Sequence, residues 1–159
     1  MMDRIRTLIF YSVAFVLLLI VYHYATSFGF VTVDEGYRIM EPAVTQREVK
    51  LVDKRRDTVL SLEPGDIIAY TSIHQDRKKR MFGRVLALPG SIISVRGKHM
   101  LVDGDEAARF RRRLAVLETG MMVPRETVFV TFDATRGVNI SIAQRMVPYR
   151  NIIGRMSGE

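Results

Sequence analysis

From Leu8 to Tyr24 the chain is apolar except for Ser12 and His23, and a run of that kind restricts where everything after it can go. A membrane-spanning helix needs about 17–25 residues, so the run can cross a bilayer if it tilts or if its ends snorkel. Arg4 and Arg6 precede it, and no Lys or Arg follows until Arg38. That asymmetry predicts a cytoplasmic N-terminus and an extracytoplasmic body. Tyr22, Tyr24, Phe28 and Phe30 then fall near the far interface. A cleaved signal peptide is the competing reading, with Ala25 and Ser27 as small residues before a cut. The run is long for such a peptide, which favours an uncleaved, single-pass anchor. The division is therefore residues 1–26 as cytoplasmic N-terminus and membrane anchor, touching lipid through residues 8–24, and 27–159 as one external domain.

The chain has no cysteine, which excludes disulfides, thiolate chemistry and Cys-based zinc sites. An exported domain without disulfides suits a Gram-positive cell surface better than a eukaryotic secretory route. His23, His74 and His99 are isolated from one another, with no spacing that would hold a metal, and no cofactor is expected. The net charge of +7 gathers in short clusters: Lys54-Arg55-Arg56, Arg77-Lys78-Lys79-Arg80, and Arg109 with Arg111-Arg112-Arg113. Each can be a solvated turn, or can face lipid head groups, wall polymers or an acidic partner. No nucleic-acid recognition motif accompanies the charge, so nucleic acid is not an expected partner.

Past the anchor, short strand patterns alternate with turn signals, which predicts a mainly β domain. The predicted strands are Glu48–Val52, Ile67–Tyr70, Met81–Leu88, Ile92–Val95, His99–Val102, Thr127–Phe132 and Asn151–Arg155. Pro64-Gly65-Asp66, Pro89-Gly90 and Asp103-Gly104 punctuate them as turns. One stretch reads differently. Ala107, Phe110, Leu114 and Leu117 recur at spacings of three, four and three before Gly120, predicting a short amphipathic helix with its arginines outward.

Two segments carry the chemistry: Gly36-Tyr37-Arg38-Ile39-Met40-Glu41-Pro42 and Phe82-Gly83-Arg84-Val85-Leu86-Ala87-Leu88-Pro89-Gly90. They resemble the active-site segments of type I signal peptidases, Ser-Met-x-Pro and Lys-Arg-Val-x-Gly-Leu-Pro-Gly-Asp. Met40, Pro42, Arg84, Val85, Leu88, Pro89 and Gly90 match. Ile39 stands where the family has its nucleophilic serine, and Gly83 where it has its general-base lysine. The resemblance continues in order through Leu62–Ile68, Val95–Gly104, Val123-Pro124 with Thr127–Val130, and Asn151–Arg155. It implies a signal-peptidase-type antiparallel β-sheet domain behind one transmembrane helix. The family's Gly-Asp-Asn-Arg and Ser-x-Asp-Ser-Arg map onto Phe132–Thr135 and Ser141–Arg145. There Asp133, Ser141 and Arg145 remain, but Ala143 replaces the aspartate that pairs with the arginine. Gln144 replaces the serine that holds the lysine amine.

A serine–lysine dyad needs a hydroxyl to attack the carbonyl and a desolvated amine to take its proton. Ile39 and Gly83 supply neither, so a pseudoenzyme is expected. The resemblance is to the dyad-less signal-peptidase-like proteins encoded with pilins and pilus sortases in Gram-positive, including streptococcal, bacteria. It implies a non-catalytic chaperone or scaffold in pilus assembly, with pilin subunits or the sortase as partners. In the active family an extended peptide lies along strands beside the two segments. Here Ile39, Met40, Pro42, Gly83 and Arg84 would line that groove, unless another face does the binding. The alternative is an active signal peptidase with an unusual dyad, drawn from Ser72, Ser91, Ser94 and Ser141 and from Lys50, Lys54, Lys78, Lys79 and Lys98.

Overall fold

The computed structural model describes residues 2–32, 40, 43–45, 47–74, 77–96, 99–109, 120–133 and 145–157. Helix α1 (Met2–Ser27) holds the whole apolar run. Within Arg4–Ser27 the mean hydropathy reaches 2.2, and none of that window is buried against protein. At 1.5 Å per residue the helix is long enough for a hydrocarbon core of about 30 Å. Strand β1 (Phe28–Thr32) follows without a break. The junction is tied down: the Lys54 amide donates to the Ser27 carbonyl at 2.8 Å, and Tyr24 stacks on Phe28. The Arg55 guanidinium lies over the Phe28 ring.

The body is β2 (Val49–Asp53), α2 (Arg56–Leu60), β3 (Ile67–His74), β4 (Arg77–Ala87), β5 (Ile92–Arg96), β6 (His99–Val102), β7 (Asp105–Arg109), β8 (Met121–Met122), β9 (Thr127–Thr131), β10 (Met146–Pro148) and β11 (Ile152–Met156). Seven strands make one antiparallel sheet in the order β1-β2-β11-β3-β4-β9-β10, and four make a second in the order β7-β6-β5-β8. The large sheet is apolar on both faces. Val31, Val52, Ile67, Ala69 and Phe82 pack with Met40 and Val44 on one. Ile68, Tyr70, Met81, Val85, Val128 and Val130 pack with Leu62 and Val147 on the other. The period-2 alternation of Ile67–Tyr70 and Met81–Val85 sends successive side chains to opposite faces, which is why both faces are filled. Ala87, Phe129, Ile93, Val95, Met100 and Val123 form a third cluster linking the two sheets.

All seven predicted strands are present, His99–Val102 with the ends expected and the other six with altered ends. β3 and β4 run further than the apolar pattern, because they pair continuously from Ile67↔Arg84 to His74↔Arg77. Asp103 and Gly104 both have positive φ, at 53° and 97°, the tight hairpin turn expected of Asp-Gly. That turn folds the chain straight back, pairing Val102 with Asp105. Ala107 is therefore in strand β7 and not in the predicted helix; residues 110–119, with Phe110, Leu114 and Leu117, lie outside the described residues. The short helix that is described is α2, which follows the Lys54-Arg55 cluster. It is fixed by Asp53, whose carboxylate accepts from the Arg55 Nε, Nη2 and backbone amide and from the Thr58 hydroxyl. The Arg55 hydrogen bonds lower the Asp53 pKa from 3.8 to about 2 against the opposing effect of burial, with further help from Thr58.

Candidate functional site

Gly83 sits mid-strand in β4, opposite Ile68 of β3, one residue before β4 also takes up β9 at Arg84↔Thr131. Its missing side chain would point to the face that holds Tyr70 and Val130. A Cβ there would lie 3.0 Å from Val130 Cβ, 3.1 Å from Val130 Cγ2 and 3.3 Å from Tyr70 Cε1. Those distances are tighter than ordinary van der Waals contact, so a side chain at 83 would have to push Val130 and Tyr70 back by a few tenths of an ångström. Tyr70 is 1% exposed, and its hydroxyl has no hydrogen-bond partner among the described residues. Burial raises the Tyr70 pKa, partly offset by the positive charge of Arg145. A phenol held that firmly in its protonated form is no general base at neutral pH.

Arg145 is buried in the same region. Its guanidinium carbon lies 5.0 Å from the centroid of the Phe132 ring, and burial lowers its pKa while Tyr70 opposes the shift. The aromatic face supplies favourable electrostatics to the Arg145 cation. Ser141, Ala143 and Gln144 lie outside the described residues.

Arg84, next along β4, points to the other face and closes a bridge that sequence reading had left as two separate matches. Its Nε and Nη2 donate to the Asp133 carboxylate at 3.0 and 2.8 Å, and its Nη1 donates to the Gly65 carbonyl at 2.8 Å. This two-pronged, partly buried pair fastens the end of β9 to the Pro64-Gly65-Asp66 turn. The hint in the sequence was that both residues match the motifs of the resembled family.

The remaining sequence-predicted groove residues divide. Met40 is fully buried and packs in the cluster of Val31, Val52 and Phe82, on the face opposite Gly83's missing side chain. Ile39 and Pro42 lie outside the described residues. Of the substitute nucleophiles and bases among the described residues, one pair is placed across from each other: Ser72 of β3 is directly opposite Lys79 of β4. No hydrogen bond joins them, and Lys79 is exposed, whereas a lysine base works desolvated in a closed site. Ser91 lies in the turn after Gly90, its amide donating to Leu88. Ser94 is on β5 opposite Leu101 in the smaller sheet. Lys50 is held by Glu48 at 2.7 Å. Ser141 and Lys98 lie outside the described residues. Among the described residues no group of three or more His, Asp or Glu side chains converges as a metal site would require.

No curated protein matches the chain. The profile of the family described as signal peptidase, peptidase S26, matches residues 5–157, from within helix α1 to just past β11. That span takes in both sheets, the Gly83 position and the Arg84–Asp133 bridge, and the chain belongs to the S26 signal peptidase family.

Proposed function

We propose that this protein is a non-proteolytic member of the signal peptidase family. In this reading it is anchored by α1 with its N-terminus in the cytoplasm. Its former substrate groove holds polypeptide without cutting it. Its role is that of a chaperone or scaffold in pilin polymerisation at a Gram-positive cell surface. The carrying observation is at Gly83: the position has no amine, and Tyr70 and Val130 pack tightly against the point where its Cβ would stand. Such packing is what a core does once a polar side chain no longer needs the space. The pilus role draws its support from the resemblance to signal-peptidase-like proteins encoded with pilins and sortases.

The test has two arms. Full-length protein in detergent, incubated with a preprotein beside an active family member, should leave the preprotein uncut. In a piliated host, deleting the gene should abolish the pilin polymer ladder, and the wild-type gene should restore it. Clean processing of the preprotein, or unchanged ladders after deletion, contradicts the proposal.

A second reading is favoured by one observation, the cross-strand juxtaposition of Ser72 and Lys79. It makes the protein an active peptidase with a displaced dyad. It requires that any processing activity disappear in Ser72→Ala and in Lys79→Ala alike.

A further inference from the structure

Beyond Tyr70 the chain changes character. β11 pairs with β3 only as far as Ile152↔Tyr70, and β9 pairs with β4 only from Arg84 onward. Between those limits Thr71–His74 and Arg77–Arg80 form a two-stranded ribbon extending from the sheet. On β4's side away from β3, Lys78, Lys79, Arg80 and Met81 face no strand among the described residues. Lys78, Lys79 and Arg80 are all exposed.

Several cations of the body are paired: Lys50 with Glu48, Arg55 with Asp53, Arg84 with Asp133 and Arg155 with Asp66. Several others, Lys54, Arg56, Arg96, Arg125 and Arg150 among them, have no ion pair among the described residues. Lys78, Lys79 and Arg80 have none there either, and they are adjacent on one strand. Three adjacent like charges on one short strand repel one another, and opposite charge placed among them is favourable.

We infer that the open edge of β4 at Lys78–Met81 docks an extended polypeptide segment by strand addition, and that Lys78, Lys79 and Arg80 select segments carrying carboxylates. This rests on the reading that the protein holds polypeptide, and it adds the chemistry of what is held. Two features favour a peptide over a lipid surface. Successive residues of a strand point to opposite faces, so Lys79 and the Lys78–Arg80 pair flank the edge from both sides. A strand laid along that edge meets all three, whereas a planar head-group layer meets one face at a time. The edge also offers main-chain donors and acceptors, which a peptide backbone satisfies. It leads along β4 directly to Gly83, so a segment captured at the ribbon is delivered along the former groove.

The experiment uses the full-length protein in zwitterionic nanodiscs and a labelled peptide of alternating Asp and Thr, about ten residues long. Fluorescence anisotropy should show binding at low salt that weakens as salt rises. The matching peptide with Asn for Asp should bind about tenfold more weakly or worse, as should the acidic peptide on Lys78→Glu/Lys79→Glu/Arg80→Glu. A peptide with Lys for Asp should recover binding to that triple variant, which a misfolded variant could not do. Methylating alternate backbone amides of the acidic peptide should remove binding if strand addition holds it. Equal binding of the Asp and Asn peptides overturns the charge selection while leaving polypeptide binding intact, and absence of binding by both overturns polypeptide binding as well. Undiminished binding by the methylated peptide overturns strand addition. Displacement of the peptide by phosphatidylglycerol vesicles as effectively, charge for charge, as by unlabelled peptide assigns the cations to lipid and overturns the inference.

Discussion

Gly83→Ala is the smallest change that probes the packing of Tyr70 and Val130 against Gly83. The added Cβ falls 3.0 Å from Val130 Cβ and 3.3 Å from Tyr70 Cε1, so both neighbours must give by a few tenths of an ångström. Val130 and Tyr70 are 0% and 1% exposed, in a strand paired on both sides near this point. Overpacking of this kind costs about 1–3 kcal/mol. Replacing a strand glycine contributes about 0.5–1 kcal/mol in the opposite direction, through the unfolded chain. The net expectation is destabilisation of about 1 kcal/mol, or about 2–4 °C in Tm for a domain of this size. The assay is thermal unfolding of the detergent-solubilised protein, followed by the β circular-dichroism band. Val130→Ala removes Cγ2, at 3.1 Å, but keeps Cβ, at 3.0 Å, so it should relieve only part of the cost of Gly83→Ala. A double-mutant cycle should return a coupling of about 0.5 kcal/mol. Stabilisation by Gly83→Ala, with simple additivity in the double variant, would refute the view that the site is tightly packed. The same packing implies that Ile39→Ser with Gly83→Lys will not create a peptidase, because the new side chain would have to push Tyr70 and Val130 back.

Tyr70→Phe should be neutral or raise stability by about 1 kcal/mol, since it removes a buried hydroxyl with no partner among the described residues; a clear drop in Tm contradicts this. Asp133→Ala should cost about 1–3 kcal/mol by breaking the two-pronged pair with Arg84, and Arg84→Lys should recover little, because an ammonium cannot span both carboxylate oxygens. Asp53→Asn should destabilise at neutral pH by about 1 kcal/mol, a figure reduced by solvent around the half-exposed Arg55. The folded-state pKa of Asp53 is depressed from 3.8 to about 2. Its contribution is therefore full above about pH 4 and disappears as pH falls through about 2, so the Tm difference between wild type and variant should close across that window. Gly154→Ala should be severely destabilising, because a Cβ there meets the Asp53 carbonyl; stability within about 1 kcal/mol of wild type argues against that packing.

Much of the fold was legible locally. The alternation in Ile67–Tyr70 and Met81–Val85 and the Asp103-Gly104 turn each act over a few residues, and the strands and hairpin followed. Other features were not legible, for identifiable reasons. Arg77–Arg80 breaks the apolar pattern, yet it is strand because the facing residues of β3 hold it in register. Ala107 shares a helical spacing with later residues, but the tight turn before it commits the segment to β6. β1 was hidden because Phe28 and Phe30 read as aromatic residues at the far interface, although they pair with β2.

For the site, the sequence alone determined what is missing: no hydroxyl at 39, no amine at 83, no aspartate at 143. It also determined the apolar run that forms α1, since hydrophobicity along a helix is a property of consecutive residues. Only the tertiary structure decided what took the vacated space. Tyr70 and Val130 reach Gly83 from β3 and β9, Asp133 reaches Arg84 across 49 residues, and Ser72 meets Lys79 across the ribbon. Such meetings depend on which strands pair and in what register, and that is settled by burying both faces of the sheet at once, not by any one stretch of chain.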